Sequence, residues 1–154
     1  MLALRRRLLA LKAVGERGSA IVEFVFLAVL LMVPLFYLVM TLSRIQAGAY
    51  AASTAAREAG RAFVTASEPA DAGKRAVAAA RIAFEDQGFG VDEAQLRMNC
   101  DGTPCLRPDG RIEMSTTVTV PLPLIPSFAR GVVPLEVPVT ASHVAVVDRF
   151  RGQP

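Results

Sequence analysis

The chain has 154 residues, enough for one domain of modest size, and its net charge of +3 is concentrated at one end. Residues 1–17 carry Arg5, Arg6, Arg7, Lys12 and Arg17 against Glu16, a net of +4, so everything from Gly18 onward sums to −1. With no Lys/Arg cluster outside that tail there is no basis for a nucleic-acid surface. With one histidine, no Gly-rich phosphate loop and no metal-ligand cluster, no enzyme activity, cofactor or metal is expected.

From Phe24 to Ser43 there are 20 consecutive uncharged residues, mostly Leu, Val, Phe and Met. A helix of that length matches a hydrocarbon core of ~30 Å. A buried core helix would need a larger protein around it. A cleaved secretory signal, with Ala49-Tyr50-Ala51 as a processing site, would have a shorter apolar core, ~7–15 residues. The five cations precede the span, and positive flanks stay cytoplasmic. After it the charges are mixed, from Arg44 through Arg57, Glu58 and Arg61. The expected arrangement is therefore a single-pass membrane protein with its N-terminus in the cytoplasm and residues 44–154 outside. Pro34, in mid-span, removes one helix hydrogen bond and predicts a kink.

The junction before the span is the most informative stretch. Glu23 places a carboxylate at the edge of an apolar helix, five residues after Gly18 ends the basic leader. A charge within a membrane costs ~2.5–3.5 kcal/mol on insertion scales, so Glu23 is expected to have a use or a partner. A cut after Gly18 would create an α-amino cation on Ser19, four residues before Glu23. In an assembly that cation could pair with Glu23 of a neighbouring subunit and favour one stagger between packed helices.

Basic leader, glycine, four residues, glutamate and apolar helix together resemble a type IV prepilin or pseudopilin. Gly18-Ser-Ala-Ile-Val-Glu23-Phe24, followed by the small-residue run Ala55-Ala56-Arg57-Glu58-Ala59-Gly60-Arg61-Ala62, is similar to the TadE-like pseudopilins of tight-adherence (Flp) pilus systems. The resemblance covers residues 15–65 well and the rest loosely. It departs in Ser19, where many prepilins have Phe or Met, and in Phe24, where tight-adherence prepilins often have Tyr. It implies a leader, residues 1–18, removed by a membrane-embedded prepilin peptidase between Gly18 and Ser19, and a transmembrane helix over 19–43. It also implies Glu23 and Phe24 as assembly residues, and partners among other pilin subunits and the pilus assembly machinery.

Beyond Ser43 the helical pattern continues, and residues 47–62 hold 12 Ala, Gly, Ser or Thr out of 16. Such residues let helices approach closely. They suit either a surface where subunits or partners pack, or a helix lying on its own domain. Arg57 and Arg61 share a face, as a solvated stripe does.

Ser67-Glu68-Pro69 has the form of a helix start with Ser67 as cap. It predicts a second helix from Pro69 to about Gln87, with an Asp71–Arg75 pair and an apolar face of Ala76, Val77, Ala80, Ala83 and Phe84. Gly88 and Gly90 end it. Then the period changes. Ile112, Met114, Thr116, Val118 and Val120 alternate with Glu113, Ser115, Thr117 and Thr119, which predicts a strand with one buried face.

Pro121, Pro123 and Pro126 start a connection through Gly131. A last strand is expected near Leu135 to Val147, with its odd positions apolar and Pro138 marking a bulge or an edge. Gln95 to Cys100 is a possible third strand. The expected class is α+β: a long N-terminal helix with transmembrane and exported halves, a second helix, and a small antiparallel sheet.

Cys100 and Cys105 frame a Gly- and Pro-containing turn, and in an exported segment they suit a local disulfide. The alternative is a metal pair, but Cys-x4-Cys lacks a second ligand pair. His143 falls on the apolar face of the last strand, where a packed, hydrogen-bonded side chain is expected rather than a general base. Two further readings stay open. One is an uncleaved single-pass protein whose outer domain binds another envelope protein or a ligand. The other is a domain released by signal peptidase.

Overall fold

The computed structural model describes residues 2–123 and 136–150, with side chains described from Ala20 onward. Helix α1 runs Leu2–Val64, helix α2 Pro69–Glu85, and strands β1 Ala94–Cys100, β2 Arg111–Pro121 and β3 Glu136–Val146 follow. The strands form one antiparallel sheet in the order β1-β2-β3. This is the α+β arrangement of a long helix, a second helix and a three-stranded sheet. The chain divides into two compact units, Met1–Met40 and Thr41–Pro154.

The first unit is helix alone. Leu, Val, Phe and Met dominate it after Ala20, and they face outward with no covering element. From Ala20 onward α1 is long and apolar enough to cross a membrane, and it is the one described helix of that kind. It continues through Pro34 without interruption.

In the second unit the small residues of α1 set the packing. Ala51, Ala52, Ala55, Ala56 and Ala59 are all fully buried in the core it shares with α2 and the sheet. A Cβ on Gly48 would collide with the Cγ2 methyl of Val120, and one on Gly60 would stand 3.0 Å from the Ala145 Cβ. The two glycines lie ~18 Å apart along the helix, and they fix the sheet against it at two heights. The end of β2 lies at Gly48 and the end of β3 at Gly60. The register pairs Ile112 with both Ala145 and Cys100, so the β1–β2 connection is at the Gly60 end.

β2 has the expected alternation, with Ile112, Met114, Thr116, Val118 and Val120 all buried. It is the central strand, and a two-sided ladder plus a helix on one face produces that pattern. On β3 the odd positions also face inward, half-buried except Ala145, which is buried. Pro138 lies on this edge strand, where a missing N–H is tolerated, and the register across it is unbroken. Leu135 and the connection over 124–135, including Pro126 and Gly131, lie outside the described residues.

Helix α2 differs from expectation in three details. Its N-cap is Glu68 in extended backbone, with Pro69 beginning the first turn, rather than Ser67. Asp71 pairs with Lys74 at 3.7 Å instead of Arg75. The buried stripe includes Ala72, while Val77 is 51% exposed. With Ala72 in place of Val77, alanines meet the core along the helix until Phe84 in its last turn, and the close approach favours them. The helix ends as expected at Gly88 (φ +74°). Phe89 N–H donates to the Phe84 carbonyl at 3.0 Å, and Gly88 N–H to that of Glu85 at 2.9 Å. This is a Schellman motif, with Phe84 and Phe89 supplying its apolar contact.

Candidate processing and assembly segment

Gly18 and Ser19 lie within the helical backbone of α1, and Glu23 follows Ser19 by four residues, one turn further along. Glu23 is exposed and Phe24 beside it is 72% exposed. Among the described residues Glu23 has no ion-pair partner. The helix thus presents a lone carboxylate at the margin of an uncovered apolar surface. Such a surface is stable only against lipid or against another apolar helix.

The small-residue stripe from 47 to 62 does something different. The structure spends Ala51, Ala52, Ala55, Ala56, Ala59 and Gly48 on the protein's own core, so these are not free as a surface for other subunits, while Ala49 stays exposed. The internal alternative is the one realised. Arg57 and Arg61 are exposed, in keeping with a solvated stripe.

At the far end of this unit, Cys100 and Cys105 are joined by a disulfide across a Cα–Cα distance of 5.5 Å. The loop it closes is further fixed by Asp101, whose backbone N–H donates to the Arg111 carbonyl at 3.0 Å. The Asp101 carboxylate lies 3.0 Å from the Arg107 guanidinium. Backbone hydrogen bonding with Arg111 is the main cause that holds this carboxyl below its ordinary value; burial opposes it, and the Arg107 guanidinium lowers it further.

His143 is half-buried, with its ring against α1 at Gly60. It is packed as expected, but its ring has no hydrogen-bond partner among the described residues. No group of three His, Cys, Asp or Glu able to hold a metal occurs among the described residues. An open groove of about 490 Å³ between α2 and β1 is lined by Gly73, Lys74, Val77, Ala78, Arg81 and Met98. It brings together no acid–base or nucleophilic set.

Two relationships carry no obvious sequence signal. The Arg44 guanidinium lies 5.0 Å from the centroid of the Phe89 ring, and the Thr116 hydroxyl donates to the Ala52 carbonyl at 2.8 Å. Glycines in a helical pattern, Gly48 and Gly60, are the one trace in the sequence of the close approach that makes both possible.

Residues 18–61 match the family model described as TadE-like protein. The match begins at Gly18, takes in Glu23 and the whole apolar run, and ends at Arg61, within the small-residue stripe. No curated protein and no solved structure matches the chain.

Proposed function

From the premise of a TadE-like segment at residues 18–61, we propose that this chain is a minor pilin or pseudopilin of a tight-adherence, type IV-like pilus. In this reading it is inserted in the cell membrane with its N-terminus in the cytoplasm. It is cut between Gly18 and Ser19 by a prepilin peptidase and used in pilus assembly or priming. The observation that carries the proposal is the placement of Gly18 and Glu23 at the start of an apolar helix inside the matched segment.

The chemistry of the junction supports it. A peptidase needs an extended substrate, and glycine weakens a helix by ~1 kcal/mol relative to alanine. Gly15 and Gly18 lie within one turn of each other, so α1 unwinds there at least cost. Hydrolysis leaves a carboxylate on Gly18 and an α-amino group on Ser19. That group is largely protonated at neutral pH, its ordinary pKa being ~7.7–8.0. Paired with Glu23 of a neighbouring subunit, it would neutralise a carboxylate that is otherwise expensive at a membrane edge. Exposed apolar side chains from Ile21 to Leu42 supply the packing surface.

Substitution at the two positions tests the proposal. Gly18→Val is expected to keep the leader and stay in the membrane. Glu23→Gln is expected to lose the leader but fail to enter pili. If both variants behave as the parent does, the chain is instead an uncleaved membrane protein with an outer binding domain.

A further inference from the structure

The α2–β1 turn lies at the end of the second unit where the apolar run stops. Arg44 is the first charge after 20 uncharged residues. Its guanidinium carbon stands 5.0 Å from the Phe89 ring centroid. Phe89 Cζ is 3.6 Å from where a Cβ on Gly48 would lie. Gly48 is one turn beyond Arg44, about 6 Å along the axis. The polar headgroup layer of a bilayer is ~5–7 Å on each side, the difference between its full and hydrocarbon thicknesses. The Gly48 contact is to backbone and fixes the height of Phe89 independently of a long arginine side chain. Counted along α1 from Ser43, where the apolar run ends, the turn is thus about one helical turn further on, a distance within the depth of the headgroup layer.

Two residues past Phe89, Val91 is 67% exposed. Arg81 lines the same groove as Val91, the turn itself carries Asp86, Asp92 and Glu93 against Arg44, and Glu93 accepts the Gly90 N–H at 2.9 Å, so acidic groups outnumber basic ones. An acidic turn is not drawn to anionic lipid, so what it offers a bilayer is its apolar side chain.

We propose that Val91 inserts into the lipid interface, so that the α2–β1 turn rests on the membrane surface. The partner is a lipid surface, with no requirement for anionic headgroups. This inference rests on the anchored reading of α1 given above, and the test separates the two.

The chain contains no tryptophan, so each Trp variant is a single-reporter protein. Val91→Trp, Val146→Trp and Leu31→Trp are made in the full chain and reconstituted in phosphatidylcholine vesicles, with or without lipid carrying a nitroxide near the headgroup or deep in the acyl chain. Val146 is 53% exposed and lies at the opposite end of the sheet. The expected result is blue-shifted emission from Val91→Trp, quenched by the shallow nitroxide. Val146→Trp is expected unquenched, and Leu31→Trp quenched by the deep label. An unquenched Val91→Trp beside a quenched Leu31→Trp overturns the inference and leaves the anchor standing. A blue shift without quenching assigns Val91 to a protein contact and also overturns it. Equal quenching of Val91→Trp and Val146→Trp does the same. An unquenched Leu31→Trp removes the anchor and the inference together.

Discussion

The Thr116 side chain donates a 2.8 Å hydrogen bond to the carbonyl oxygen of Ala52, joining the central strand to α1 in the buried core. The hydroxyl has one proton, and its longer approach to the Ala141 carbonyl, at 3.3 Å, is secondary. Thr116→Val removes the donor while keeping the branched shape that suits a strand. The Ala52 carbonyl retains its helical partner, so no acceptor is orphaned. The expected loss is about 1 kcal/mol, read from denaturant midpoints at unchanged slope.

Glycines in the two helices are expected to respond in opposite directions. Gly48→Ala drives a methyl into Val120, a short β-branched side chain buried in the core. Overpacking of that kind costs ~1–3 kcal/mol, and the gain in helix propensity of ~1 kcal/mol offsets only part of it. Gly73 faces open space, with the Met98 methyl at 3.9 Å the nearest atom. Gly73→Ala is expected to stabilise by up to ~1 kcal/mol. Thermal melts of the two variants check the pair, since a helix-propensity effect alone would move both upward.

The disulfide closes a loop of sequence separation five. Chain-entropy arguments give about 2 kcal/mol for so short a loop. The double variant Cys100→Ser/Cys105→Ser is expected to keep its far-ultraviolet spectrum and to unfold at lower denaturant. The hydrogen bonds from Asp101 to Arg111 and from Val147 to Gly110 continue to hold the same end of the sheet.

Asp101 gives the loop a pH dependence of definite sign. Its carboxyl is depressed below the ordinary 3.8 by backbone hydrogen bonding with Arg111 and by Arg107. A depressed carboxyl stabilises the fold above its unfolded-state value and loses that contribution as pH falls through its folded-state value. The contribution is complete at neutral pH and fades below about pH 4. Asp101→Asn is expected to flatten the acid limb of a stability profile below that pH and leave the shape above it unchanged. The group is exposed, so the effect is small.

β2 was legible from its sequence because a central strand with one helix-covered face imposes strict alternation. The apolar run of α1 was legible because twenty uncharged residues leave few alternatives. The face of α2 was less so. Val77 is the larger apolar residue, yet the packing buries Ala72, since closeness of approach rather than hydrophobicity selects the stripe. For the same reason the small residues of α1 suit either an internal or an intermolecular partner in the sequence, and only the packing of the sheet on them distinguishes the two. The N-cap moved from Ser67 to Glu68 because Pro69 fixes where the first turn begins. The Arg44–Phe89 contact joins residues far apart in the chain, and no local pattern encodes it. At the junction, spacing and charge alone single out Gly18 and Glu23 in the sequence.

In the proposed function the helix enters its assembly with Ser19 as its first residue. Mass spectrometry of the N-terminal peptide of this protein, recovered from assembled surface pili, tests it most directly. The expected peptide begins Ser19-Ala20-Ile21 and carries a free α-amino group. Recovery of assembled material with residues 1–18 still attached would contradict it.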